Sequence, residues 1–117
     1  MDSLEILKIA AKVLDDKKAQ AIEAIKVVDL TTLTDYFLIA SGSSSTQVKA
    51  LAEEIEYKLN ELGVRPHHIE GRSSTWILLD YTTVIINVFY YEAREFYSFE
   101  RLWADGEQIP LDKIIEA

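Results

Sequence analysis

Ile6, Leu7, Ala10, Ala11 and Leu14 recur at intervals of three and four residues, which gathers them on one side of an α-helix. Asp2 followed three positions later by Glu5 is a capping-box signature, so the helix is predicted from about residue 3 to 16. It ends at the charge cluster Asp15-Asp16-Lys17-Lys18. A first strand is predicted over Ala21–Val28, where Glu23 and Lys26 fall on opposite parities and spoil a clean alternation. Thr31-Thr32-Leu33-Thr34 reads as a connector. Asp35-Tyr36-Phe37-Leu38-Ile39-Ala40 is an unbroken apolar run, the mark of a central strand covered on both sides. After Ser41-Gly42-Ser43, Ser44 with Gln47 repeats the capping signature. Val48, Leu51, Ala52, Ile55, Leu59 and Leu62 then trace one face of a long helix, and Gly63 stands where a helix C′ residue belongs.

Val64–Glu70 is predicted to be a short strand or an extended approach, kept at an edge by Pro66, which cannot donate to a ladder. Gly71-Arg72-Ser73-Ser74 is a turn. Trp76-Ile77-Leu78-Leu79-Asp80-Tyr81 and Val84-Ile85-Ile86-Asn87-Val88-Phe89 read as two strands joined tightly, followed by a helix from about Glu92 to Trp103. Asp105-Gly106-Glu107 and Pro110 interrupt the chain. The expected fold is α/β (α+β): one domain over residues 1–104 with a mixed sheet of about five strands and about three helices, then a tail over 105–117. Repeats and low-complexity tracts are absent.

Composition narrows the chemistry. At 117 residues, 49% hydrophobic and 27% charged, the chain is that of one globular domain, able to bury about two-thirds of its unfolded surface. A net charge of −8 opposes binding to DNA, RNA phosphates or anionic membranes and favours a basic partner. With no cysteine, disulfides and thiolate chemistry are excluded. Met1-Asp2-Ser3-Leu4-Glu5 resembles neither a signal peptide nor a transit segment, and no apolar run approaches a membrane span. A cytoplasmic, bacterial protein is expected.

Candidate catalytic chemistry is sparse. Gly42-Ser43, between a buried strand and a helix start, could cradle a phosphate on outward-pointing amides. The same residues suit a plain strand-to-helix turn, and the Gly-Lys-Ser/Thr of a Walker loop is missing. Nucleotidyl transfer needs carboxylates clustered around two divalent ions. No Asp-x-Asp or Glu-x-Asp stands on a predicted strand, and Asp35 and Asp80 lie at the ends of different ones. His67 and His68 are adjacent, so on a strand they point to opposite faces and cannot share a metal ion. No cofactor is expected.

The aromatic residues Trp76, Tyr81, Tyr90, Tyr91, Phe96, Tyr97, Phe99 and Trp103 exceed what a core of this size needs. Strand parity puts Trp76, Leu78 and Asp80 on one face and Ile77, Leu79 and Tyr81 on the other. Three helices cannot blanket both faces of such a sheet. One face should keep a partly bare strip of rings rimmed by carboxylates, which is the make-up of a protein-binding patch.

The chain resembles the ribosomal silencing factor, or Iojap, family over nearly its whole length. The resemblance rests on Asp35-Tyr36-Phe37-Leu38-Ile39-Ala40-Ser41-Gly42, Ile69-Glu70-Gly71 and Trp76-Ile77-Leu78-Leu79-Asp80-Tyr81. It continues through Val84-Ile85-Ile86-Asn87-Val88-Phe89 and Glu92-Ala93-Arg94 to Tyr97, Glu100, Leu102 and Trp103. Such a resemblance implies a nucleotidyltransferase-like topology without catalytic carboxylates, and no enzymatic activity. It implies binding to the large ribosomal subunit through ribosomal protein fourteen, which blocks joining of the small subunit and damps translation when nutrients are short. Self-association to a homodimer is also implied.

Three positions depart from the family pattern. Thr46-Gln47 replace Arg-His, Thr82-Thr83 replace a Gly-Asp turn, and Asn87 stands where His is common. Because β-branched Thr resists positive φ, a different turn is expected after Tyr81. The partner-binding set expected from the residues and the resemblance together is Glu70, Trp76, Leu78, Asp80, Val88, Tyr90, Arg94, Tyr97 and Glu100. Trp76 and Leu78 would be the apolar anchors, Glu70, Asp80 and Glu100 would meet Lys or Arg, and Tyr90, Arg94 and Tyr97 would frame the patch. The competing expectations are a nucleotide-binding enzyme centred on Gly42-Ser43 and a self-association role for the aromatic surface.

Overall fold

The computed structural model describes residues 1–28, 34–71, 75–92 and 106–115. Helix α1 (Ser3–Asp16) starts at Asp2, whose carboxylate accepts from the Glu5 N–H at 2.8 Å while Glu5 accepts in return from the Asp2 N–H at 3.3 Å. Both halves of the capping box read from the sequence are formed. Strand β1 (Gln20–Lys26) contains a register shift between Gln20 and Glu23, with Ala21 at φ 48. The bulge precedes Glu23; beyond it the pairing is regular, so Glu23 and Lys26 lie on opposite faces of β1, each partly exposed.

Strand β2 (Tyr36–Gly42) runs into α2 (Ser45–Glu61). The Ser44 side chain caps α2 by accepting from the Gln47 N–H at 3.0 Å. At the other end Gly63, at φ +80, donates to the Asn60 carbonyl and Val64 to the Leu59 carbonyl, which closes a Schellman motif. Strands β3 (His68–Glu70), β4 (Trp76–Asp80) and β5 (Val84–Tyr90) follow. A further strand, β6 (Glu107–Ile109), and helix α3 (Leu111–Ile115) complete the described chain.

The sheet is mixed and six-stranded, in the order β3-β4-β5-β2-β1-β6. Only β2 and β5 pair in parallel; the other neighbours are antiparallel. The chain is therefore the single α/β (α+β) domain expected, with one strand more. The expected tail over 105–117 and the boundary at residue 104 need correction: β6 pairs with β1, and Ile114 is 3% exposed within the main core. Three residues were too few to show a strand period in the sequence. The helix expected over residues 92–103 falls almost wholly outside the described residues.

The helices α1, α2 and α3 share one face of the sheet. Their buried residues, among them Leu7, Leu14, Leu51, Ile55 and Leu59, form one core with Leu38, Ala40, Ile77, Leu79, Ile86 and Val88. Each such large side chain contributes about 1.5–3 kcal/mol by leaving water. A second, smaller core lies on the opposite face: Ile25, Val27, Ile39 and Phe89, with Phe37 and Trp76 packed against them. The period of two along the strands decides which residue joins which core.

Candidate interaction face

Register places the residues of interest. His68 pairs with Asp80, Glu70 with Leu78, Leu78 with Asn87 and Trp76 with Phe89. Directly paired residues point to the same side, so His68, Glu70, Trp76, Leu78, Asp80, Ile85, Asn87 and Phe89 all lie on the face opposite the described helices. Trp76, Leu78, Asp80 and Ile85 are partly exposed, while His68 and Glu70 at the sheet edge are open to solvent. Asn87 and Phe89 are buried.

Trp76 is held on two sides. Its ring stacks on Phe89 with centroids 5.2 Å apart and planes at 19°. Its indole N–H donates to Asn87 Oδ1 at 3.1 Å. Part of the ring therefore belongs to the second core, and the remainder borders Leu78. A ring fixed in this way loses little rotamer freedom on contact, which suits an anchor residue.

The acidic rim has its own order. His68 Nε2 lies 2.7 Å from Glu70 Oε1, with both side chains largely exposed. Asp80 Oδ1 accepts from the Thr82 N–H at 2.7 Å, so this carboxylate also secures the β4–β5 hairpin. That hairpin is tight: the Tyr81 N–H donates to the Val84 carbonyl at 2.9 Å across a two-residue loop. Thr82 takes φ 71, so a β-branched residue sits in the left-handed region that Gly would occupy with less strain.

Two residues of the expected set lie elsewhere. Val88 is 0% exposed and sits in the helix-side core, one parity step from Asn87, so no partner can touch it in the folded chain. Tyr90 shares that parity and packs against the same core, with its ring against Tyr91 at 4.9 Å. It does not share the face of Trp76. Arg94, Tyr97 and Glu100 lie outside the described residues. Two members of the face were missed: His68, weighed only as a metal ligand, and Asn87, treated only as a family departure. The signal for both was strand parity extended across the ladder, which needs the register.

The Gly42-Ser43 turn has a packing explanation. A Cβ on Gly42 would lie 3.0 Å from Val48 Cγ2 and 3.1 Å from the Val48 amide nitrogen, so Gly lets α2 approach β2. The Ser43 N–H and hydroxyl both donate to Gln47 Oε1, which occupies the amide that a phosphate would need. Among the described residues no group of three His, Cys, Asp or Glu side chains could hold a metal ion. No described helix is long and apolar enough to cross a membrane.

The comparisons with known proteins agree in direction. Residues 1–117 match the family described as "Ribosomal silencing factor during starvation". The ribosomal silencing factor of Bacillus subtilis (strain 168) is 39% identical over 113 residues, which is 96% of each chain. A mouse protein named "Mitochondrial assembly of ribosomal large subunit protein 1" is 30% identical over 101 residues, covering 83% of this chain and 44% of that protein. A crystal structure of a Chromobacterium violaceum protein superposes with a TM-score of 0.86 at 37% identity, covering 94% of this chain and 91% of the other. With the match spanning every residue, this chain belongs to the ribosomal silencing factor family.

Proposed function

We propose that this protein represses translation by docking on the large ribosomal subunit through ribosomal protein fourteen and standing in the way of the small subunit. The observation that carries the reading is the strip Trp76, Leu78, Asp80 and Glu70. Partly exposed apolar side chains lie beside the partly exposed Asp80 and the exposed Glu70 carboxylates on a sheet face that no described helix covers. A basic ribosomal protein is a fitting occupant for such a strip on a chain of net charge −8. The name of the mouse relative ties that protein to large-subunit assembly, which supports the same partner class here. Blockade requires a tight complex in the right place and no bond-making step, in keeping with the regulatory names of the relatives. A cytoplasmic protein free of cofactor follows from this reading.

Co-sedimentation with isolated large subunits tests it. Glu70→Lys with Leu78→Ala is the suitable double variant, since Glu70 is exposed and Leu78 only half-buried, whereas Trp76 and Asp80 also support Phe89 and the hairpin. The wild type is expected to co-migrate and to lower the fraction of joined ribosomes; the variant should do neither. Equal binding by both overturns this choice of surface. A nucleotide-binding reading would need an open amide at Ser43, which Gln47 already occupies.

A further inference from the structure

Cations are outnumbered on this chain, 12 Lys and Arg against 20 Asp and Glu, yet three of them stand round one groove. The groove opens where α1 packs against both α2 and α3. Its floor is apolar, made by Ile9 and Val13 of α1 with Ile114 and Ile115 of α3. Ile9 and Ile115 are only partly buried, so a ligand can reach that floor. Lys8 and Lys12 on α1 and Lys58 on α2 form the rim, and Asp16 is the one carboxylate beside them. Asp16 is paired with Lys12 at 3.2 Å, in an exposed contact of the kind that exchanges partners easily. Lys8 and Lys58 have no ion-pair partner among the described residues. The local sign is therefore positive on a molecule whose net charge is −8. Helix packing does not call for this, since a solvent-facing position accepts either sign.

Residues 8, 9, 12, 13 and 16 line one side of α1 over two turns, roughly 12 Å of helix. That length matches the i and i+4 anchors of an amphipathic helix laid in a groove. A phosphate chain can use the lysines but not the isoleucines, and the overall negative field opposes a nucleic acid. An acidic amphipathic helix uses both. We propose that this groove is a second docking site, which takes one amphipathic helix of an acidic protein partner. Two of its apolar side chains rest on the isoleucine floor, and its Asp or Glu residues meet Lys8, Lys12 and Lys58. The strip of Trp76 and Leu78 lies on the opposite side of the sheet, so both sites can be filled together. The protein then carries a second protein to the large subunit. That last step rests on the face proposed above; occupancy of the groove does not.

Fluorescence anisotropy of the full chain with a labelled helical peptide tests the groove. The probe carries Leu at i, i+3, i+4 and i+7 and Glu elsewhere. One control has Lys for every Glu, and another has the same composition with Leu scattered round the helix. The Glu peptide should bind at least about tenfold more tightly than either control. Lys8→Glu with Lys58→Glu should weaken it at least about tenfold, and Ile9→Ser at least about threefold, with unfolding midpoints near that of the wild type. Equal binding by the wild type and the lysine variant, equal binding of the Glu and scattered peptides, or no saturation below about 1 mM overturns the proposal. Should a variant unfold, amide NMR shifts of the wild type decide: movement at Ile9, Val13 and Ile114 supports the groove, and movement only elsewhere overturns it. Flotation with phosphatidylglycerol vesicles in place of peptide binding assigns the lysines to a membrane and also overturns it. Joint occupancy is read by co-sedimentation, where the labelled peptide should pellet with large subunits only when the protein is present; its release there overturns that part. The Glu70→Lys, Leu78→Ala variant separates the two readings, since it should keep wild-type peptide affinity while losing the subunit.

Discussion

Thr82 and Tyr81 sit side by side in the β4–β5 hairpin and illustrate opposite kinds of local tension. Thr82 holds φ 71 with a β-branched side chain, secured by Asp80 Oδ1 on its N–H and by the Thr83 amide bonding back to the Tyr81 carbonyl at 2.8 Å. Replacing it with Gly should stabilise the chain by about 1 kcal/mol, read as a higher urea midpoint at unchanged slope. Tyr81 is buried with its hydroxyl unpartnered. Burial, with the Glu56 carboxylate adding to it, pushes its phenol up from 10.0 to about 12. An unfolded Tyr81 therefore releases its proton before a folded one does. Stability owed to this group is complete below pH 10 and declines as pH rises from there towards 12. Tyr81→Phe should remove that alkaline decline, measurable as a flatter dependence of unfolding free energy on pH across the interval.

Among the secondary-structure elements, α1 is capped locally at its start and α2 at both ends, while β6 and α3 exist only through their neighbours. α2 has Ser44 at its start and the Gly63 Schellman turn at its end, and its stripe from Val48 to Leu59 is buried. A three-residue strand has no stability of its own; β6 holds because Ala24, Ile25 and Lys26 pair with it. Ending the chain after residue 104 removes β6 and withdraws Ile114 from the core. The expected loss is about 2–5 kcal/mol, comparable to emptying a core site, and chemical unfolding of the shortened chain measures it. A shortened chain as stable as the full one would mean that the C-terminal elements merely rest on the domain.

For the molecule taken together, the division of labour lies between the two sides of the sheet. Among the described residues, one side is spent on packing three helices, and the other carries a small core plus the partly exposed strip. The net charge of −8 acts over the same distances as the approach of a partner. If the strip meets a basic ribosomal protein, its association rate with large subunits should fall at least about tenfold as salt is raised from low to several hundred millimolar, the dissociation rate changing less. A rate indifferent to salt would mean that apolar contact alone guides the encounter.

Local chemistry already determined α1 and α2 with their capping residues, the central strand and the split of Trp76, Leu78 and Asp80 from Ile77, Leu79 and Tyr81. Those features depend on residues within a turn or a strand of one another, so period and capping signatures reveal them. The ordered blocks from Asp35 to Trp103 likewise pointed to the family. Tertiary pairing decided the rest. Parity along one strand says which residues share a face but not which face the helices take, and so Val88 and Tyr90 could not be told from Trp76 until β5 was seen between β2 and β4. His68 and Asn87 joined the strip through ladders to residues 12 and 9 positions away in the chain, His68 with Asp80 and Asn87 with Leu78. Hydrogen bonding between strands, absent from any local pattern, is what brought them there.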